Sequence, residues 1–348
     1  MQANKNLVEI SEIKYNLSEL TSLIGISSEE SDISKYLSGI LAEVCDEVVV
    51  DNSYNVIGKI YSDKECAKTI LLEAHMDRVG LMISDIDEDG YLKFTNVGGM
   101  DERVLMYAEV VVCGKQSFDG IIFHKKSDNY KNPKIEDLLI DTGFSAEYVK
   151  ENISVGDFVY VKSDLSSLCG SVVSGAAMDN RAGIECILNA INKIDRTKLK
   201  YNVDILFASQ EELGLHGAYT GVRSSDADAA IIIDVTHGTT PDAKDVTGVF
   251  KLGSGAVICR GPNFHYSYTN QLIDLAEKLS FPYEVEVASG PSGTDAWAIQ
   301  INGNGVPSML ISIPLRYMHT NVETLDLRDI ATISKLIVAV LEGGIEVV

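Results

Sequence analysis

Val203-Asp204-Ile205-Leu206-Phe207-Ala208, followed almost at once by Gln210-Glu211-Glu212-Leu213-Gly214, is the stretch on which the reading of this chain turns. A short apolar run bounded by a turn signal is what a strand buried on both faces of a parallel sheet looks like. The two carboxylates after it then stand at the carboxyl edge of that sheet. Adjacent residues at a strand end point to opposite sides, so a Glu-Glu step can give one carboxylate to a cation and leave the other free to move a proton. Alone, an acidic pair at a strand end is most often a solvated loop. Its neighbours decide otherwise.

Runs of the same kind recur at Thr69-Ile70-Leu71-Leu72-Glu73-Ala74, Ala229 to Ile233 and Ser308 to Ile313, with further strands at Val48-Val49-Val50 and Asn55 to Ile60. Helical patterning covers residues 6–44, Gly183 to Ile194, Tyr266 to Leu279, Thr294 to Ile301 and Asp326 to Leu341. This alternation predicts an α/β fold, a mixed and mostly parallel sheet with helices on both faces. From about Gly80 to Ser174 the texture changes. Short segments such as Glu109-Val110-Val111-Val112-Cys113 and Asp157-Phe158-Val159-Tyr160-Val161 are punctuated by Gly, Asp and Asn. That predicts a small β-rich, barrel-like domain at 80–174, inserted between two parts of one larger domain at 1–79 and 175–348.

At 348 residues and 45% hydrophobic content the chain has ample core for such an architecture. The net charge of −22, from 51 acidic against 29 basic residues, argues against nucleic acid or an anionic membrane as a partner. The six cysteines (Cys45, Cys66, Cys113, Cys169, Cys186, Cys259) form no Cys-x-x-Cys pair and read as reduced core residues. Residues 1–20 carry scattered charges with no apolar signal core, and no apolar stretch reaches membrane-spanning length. The expected location is cytoplasmic.

Chemistry gathers where the strands end. His75-Met76-Asp77 follows the run at 69–74, Glu211-Glu212 the run at 203–208, Asp234 the run at 229–233, and a loop ending in His319 the run at 308–313; Asp179 precedes a helix. Open α/β sheets place their functional groups at that edge. Each residue has a plainer reading: a lone His is more often a satisfied buried side chain, and Asp179 would serve as a helix cap. Taken together, two imidazoles and three carboxylates without a thiolate suit zinc, cobalt or manganese. Five protein groups exceed what one open catalytic zinc uses. They suit two metals, each with a His and a terminal carboxylate, with Asp179 bridging. Asp77, two residues beyond His75, is placed to accept the imidazole N–H and orient it.

With these residues assembled, the chain resembles the tetrahedral aminopeptidases, co-catalytic metallo-aminopeptidases also known as glutamyl aminopeptidases and, in older usage, endoglucanases. The resemblance runs almost end to end. It rests on Ala74-His75-Met76-Asp77, Met178-Asp179-Asn180-Arg181-Ala182-Gly183, Gln210-Glu211-Glu212-Leu213-Gly214, Asp234-Val235-Thr236, Gly293-Thr294-Asp295-Ala296 and Pro314-Leu315-Arg316-Tyr317-Met318-His319. It implies a zinc-exopeptidase-like fold and two divalent ions per subunit, zinc, cobalt or manganese. Asp179 would bridge them, His75 and Asp234 would complete one site, and Glu212 and His319 the other. Glu211 would be the general base and Asp77 the residue steadying His75. The resemblance also points to a cis peptide bond between Asp179 and Asn180. It makes the insert a dimerisation domain, with dimers assembling into a hollow dodecamer. One position departs: where the family usually has an acidic residue after His-x-Asp, this chain has Arg78.

On this reading the cations polarise a scissile carbonyl and acidify a water whose proton Glu211 takes and returns to the leaving amine. The substrates are peptides with a free N-terminus, whose first side chain would be selected by the loops near 289–294 and 309–316. His124, His216, His237 and His265 are given no role in this scheme. Another metal-dependent amidohydrolase, such as a deacylase, uses the same parts. Glycoside cleavage needs two spaced carboxylates and no imidazole ligands, which counts against it. A non-catalytic assembly subunit would have no reason to keep every ligand.

Overall fold

The structure, a computed structural model, describes residues 2–125, 134–240 and 248–348. Its body is an eight-stranded sheet in the order Glu47–Val50, Val56–Ile60, Asn202–Ala208, Thr69–His75, Ala229–His237, Ser308–Leu315, Ala256–Arg260 and Tyr283–Val287. The four central strands, Asn202–Ala208 through Ser308–Leu315, run parallel. Antiparallel partners extend the sheet on both sides, at Val56–Ile60 and at Ala256–Arg260.

The central strands are apolar throughout because both of their faces are covered. Ile70, Leu72 and Ala74 join Val203, Ile205 and Phe207 on one face, in a core shared with the helices Gln2–Ser22, Met178–Ile191 and Leu327–Ala339. The intervening Leu71, Leu206, Ala208, Ala230 and Ile232 lie on the other face, against the short helices His216–Gly221 and Ala296–Ile299. Side chains of a strand alternate between faces, and here each set meets its own layer of helices. The strands at Ala256–Arg260 and Tyr283–Val287 were not anticipated from the sequence. Among the described residues no helix is long and apolar enough to cross a membrane.

Between Thr69–His75 and the Met178 helix the chain builds a closed six-stranded antiparallel barrel. Its strands follow the order Gly80–Ile86, Leu92–Val97, Leu138–Asp141, Ser117–His124, Glu109–Cys113 and Phe158–Val161. Along Ser117–His124 every second residue is buried, as an inward-outward alternation requires. The barrel has its own core of residues such as Leu81, Phe94, Val110, Ile122 and Val159. After Val161 the chain returns to the main body: Ser166–Ser167 and Val172–Gly175 pair in a three-stranded sheet with Glu323–Asp326. Parallel alignment brings the ends of four central strands to one edge, and the barrel leaves the sheet from that same edge, five residues after His75.

Candidate active site

The four parallel strands deliver their side chains to one buried cluster. His75 is the last residue of its strand, level with Ala208 of the neighbour. Its Nε2 lies 3.1 Å from Asp179 Oδ1 and 3.8 Å from Asp234 Oδ1. His319 Nε2 lies 3.5 Å from Asp179 Oδ2 and 3.4 Å from Glu212 Oε1. Asp179 therefore turns one oxygen to each imidazole. In each of the groups His75-Asp179-Asp234, Asp179-Glu212-His319 and His75-Glu211-Glu212, the donor atoms lie within 4.8 Å of one another. These residues help to line a cavity of about 380 Å³.

Local backbone features hold each donor in place. Ala177 takes a left-handed conformation (φ 59°), and Asp179 and Asn180 fall outside helical geometry before the helix proper begins. Their peptide bond is cis. Asp179 is not the helix cap. Asn180 does that work, accepting the Gly183 N–H through Oδ1 (3.1 Å) and donating from Nδ2 to the Ile233 carbonyl (2.8 Å). A Cβ on Gly183 would stand 2.3 Å from Asn180 Oδ1, so the position requires glycine. With capping assigned elsewhere, the Asp179 carboxylate is free for the cluster, while its backbone N–H donates to Glu323 Oε2 (3.1 Å).

Glu211 and Glu212 open a 3-10 turn, Glu211–Leu213, rather than continuing the strand, so the turn and not strand alternation separates their side chains. Asp77 pins that turn. Its Oδ1 accepts the Glu211 N–H (2.9 Å), its Oδ2 accepts the Glu212 N–H (3.2 Å) and the Ser27 hydroxyl (2.6 Å), and Oδ1 stands 3.4 Å from His75 Nδ1. One fully buried carboxylate thus fixes both the imidazole and the Glu-Glu step. His319 is gripped from the barrel side: its Nδ1 lies 3.1 Å from the Gly99 carbonyl, which orients Nε2 toward Asp179 and Glu212. The Asp101 N–H donates to the His319 carbonyl (3.1 Å), and the His319 N–H donates to Glu323 Oε1 (2.8 Å).

Over residues 55–336 the sequence matches the M42 glutamyl aminopeptidases. The chain belongs to that family. It is 30% identical to the lysyl aminopeptidase of Pyrococcus furiosus, over 91% of this chain and 93% of the relative. It is similar to the solved structure of aminopeptidase APDkam598 from the archaeon Desulfurococcus kamchatkensis (TM-score 0.90, 32% identity, 96% of this chain and 95% of that one). It is also similar to the Pyrococcus horikoshii TET1 peptidase, which can assemble into a tetrahedron or a large octahedral shell (TM-score 0.83, 31% identity, 94% of this chain and 99% of that one). This M42 protein is an aminopeptidase, a hydrolase acting on peptides.

The electrostatics of the M42 site are those of a cation site. Burial pushes Glu211 up to about 10, with Asp295, Asp234 and Glu212 adding to the shift and His75 opposing it. Burial, with Asp179 and Glu212, lifts Asp234 to about 7. The bonds to Asp179 and Glu212 hold His319 protonated up to about 11. Burial also works against the charges on Asp179 and Asp77, yet the facing imidazoles keep both below their ordinary values. Four carboxyl groups and Asp77 crowd round two imidazoles, too close for all of them to ionise without further positive charge. His nitrogens and carboxylate oxygens are the donors of a divalent transition metal, so the residue set fits such ions.

Three residues of the site were not assigned from the sequence. Glu73 and Asp295 are buried acids whose four carboxyl oxygens have no hydrogen-bond partner among the described residues; burial raises both, Glu73 to about 8, and the charge of Glu73 raises Asp295 further. Glu73 could have been noticed as an acid inside an apolar strand, and Asp295 within Gly293-Thr294-Asp295-Ala296. Glu323, which holds the backbone of both Asp179 and His319, had no such signal. Arg78 is buried (6% exposed) and its charge faces Glu323, so the departure from the family pattern sets a cation beside that grip.

Asp77→Ala would strip partners from two buried N–H groups and from Ser27. A loss of about 1–3 kcal/mol per orphaned donor is expected, read as a lowered denaturation midpoint. A midpoint equal to the wild type's would show that Asp77 does not pin the turn.

Proposed function

We propose that this chain is a two-metal aminopeptidase in which Asp179 bridges, His75 and Asp234 complete one metal site, Glu212 and His319 complete the other, and Glu211 is the general base. The observation that carries this reading is that the two oxygens of Asp179 face different imidazoles, at 3.1 and 3.5 Å. Two divalent ions, zinc, cobalt or manganese, would supply a polarised carbonyl and an acidified water. The protein supplies the rest. Asp77 orients His75 and sets the Glu211-Glu212 turn, so that Glu212 reaches toward His319 while Glu211 stays beside the substrate space. Burial holds the Glu211 carboxyl far above its ordinary range, and cations in the cluster would lower it, freeing the carboxylate to accept a proton. It takes a proton from the attacking water and delivers it to the amine that leaves. A cavity of about 380 Å³ beside the cluster would take the first residue of a peptide, which suits removal of one N-terminal residue at a time.

If Glu212 binds metal and Glu211 moves protons, their amide variants fail differently. Glu211→Gln keeps its metal and loses on the order of 10²–10⁴ in kcat, whereas Glu212→Gln is partly rescued by added zinc or cobalt. Metal content and kcat across a metal titration separate the two. Rescue of Glu211→Gln but not Glu212→Gln would reverse the roles.

We further propose that residues 80–174 form a dimerisation domain between catalytic parts 1–79 and 175–348, and that dimers build a dodecamer. The barrel's separate core supports this, as do Tyr107, Phe144 and Val155, apolar residues 48–66% exposed on it, and the assemblies of the Pyrococcus horikoshii peptidase. Light scattering at micromolar concentration is expected to give a dodecamer; a strict monomer would refute the interface, and a dimer the larger shell alone.

A further inference from the structure

From Ser209 to Glu212 the chain turns off its strand, and four consecutive backbone N–H groups donate to side chains from elsewhere. Asn55 Oδ1 accepts the Ser209 N–H (2.9 Å), and the two oxygens of Asp77 accept those of Glu211 and Glu212. Gln210, between them, is held by Glu30, whose Oε1 accepts its N–H at 3.0 Å. Asn55, Glu30 and Asp77 are all fully buried. Glu30 ends a segment, 25–30, that is laid against Arg78. The Ser27 N–H donates to the Arg78 carbonyl (3.2 Å), and the Arg78 N–H to the Gly25 carbonyl (3.0 Å). The chemistry proposed above does not use this acid.

Glu30 occupies the position before the helix Ser31–Val44, where a side chain usually caps the first turn, yet it makes no such bond. Its Oε1 goes instead to the N–H groups of Ser28 (2.9 Å) and Gln210. Gln210 in turn is left-handed (φ 52°), a conformation that a residue with a side chain keeps only where its surroundings hold it. Gln210 sets the direction in which the chain enters the Glu211–Leu213 turn. Glu212 has a second hold through its own carboxylate, 3.4 Å from His319. Glu211 has none: among the described residues no group hydrogen-bonds its carboxyl, so the backbone alone aims it.

We propose that Glu30 is a positioning residue: by accepting the Gln210 N–H it keeps that residue left-handed and aims Glu211 at the attacking water. The proposal rests on the reading of Glu211 as the general base. A single oxygen makes both of the Glu30 bonds, while Oε2 has no hydrogen-bond partner among the described residues. Burial and the charge of Asp77 push the Glu30 carboxyl up to about 7, against the two N–H bonds, so a full negative charge has little support there. Reach, rather than charge, is what position 30 contributes.

The test measures kcat, KM and metal content of metal-loaded Glu30→Asp and Glu30→Gln, on the aminoacyl anilide that the wild type cleaves fastest. Aspartate keeps the charge and loses the reach; glutamine loses the charge and keeps an oxygen where Oε1 stands. Assays run well below each denaturation midpoint, so a merely structural role leaves kcat unmoved. Glu30→Asp should lose about 10–100-fold in kcat, the scale of a misplacement of order 1 Å, with KM and metal content held. Glu30→Gln should stay close to the wild type. Added to Glu211→Gln, Glu30→Asp should cost little more, because the group it aims is already gone. A Glu30→Asp variant as fast as the wild type, an equal fall in Glu30→Gln, a fall that added metal restores, or the full fall repeated on Glu211→Gln would each overturn the inference and leave the base standing. A Glu211→Gln variant as active as the wild type would overturn the base and the inference together.

Discussion

The site depends on one buried carboxylate that faces two ways. Asp179 has an imidazole on each of its oxygens, and its backbone N–H is tied to Glu323, which also holds the backbone of His319. A carboxylate can occupy that position only if its charge is answered, because an unpaired buried charge is costly. Two imidazoles answer part of it. The surrounding Glu211, Glu212 and Asp234 can all ionise only if further positive charge stands beside them. On the proposed reading two divalent ions close that deficit, and the carboxylates are tolerated in the interior because of them.

The fold serves that constraint. Four parallel strands end together, so residues far apart in sequence arrive at one edge without long loops. Apolar packing on both sheet faces fixes the strands, and short polar contacts then fix the ends: Asp77 to the Glu211-Glu212 turn, Asn180 to Ile233 and Gly183. The barrel belongs to the same arrangement. Gly99 and Asp101 hold His319, so the inserted domain shapes the site. Any assembly formed through the barrel would sit one short segment away from that histidine.

Much of this was legible in the sequence because strands buried on both faces leave long apolar runs, and the acids and histidines that break those runs stand out. The runs ending at His75, Ala208, Asp234 and near His319 gave both the sheet and the cluster. The strands at Ala256–Arg260 and Tyr283–Val287 were harder to see. The latter alternates Tyr, Glu, Val, Glu, Val on a half-covered edge, where its acids look like surface residues. Glu323 and Glu73 escaped for a related reason: their neighbours are backbone amides and another carboxyl group, which only the folded chain brings near. The swap of capping from Asp179 to Asn180 likewise depends on backbone conformation around Ala177, which residue type does not reveal.

The measurement that bears most directly on the bridging carboxylate is elemental analysis of the protein purified without chelator, alongside Asp179→Ala. The account predicts close to two divalent transition-metal ions per chain in the wild type and a sharp loss in the variant. A single ion per chain in both proteins would contradict it.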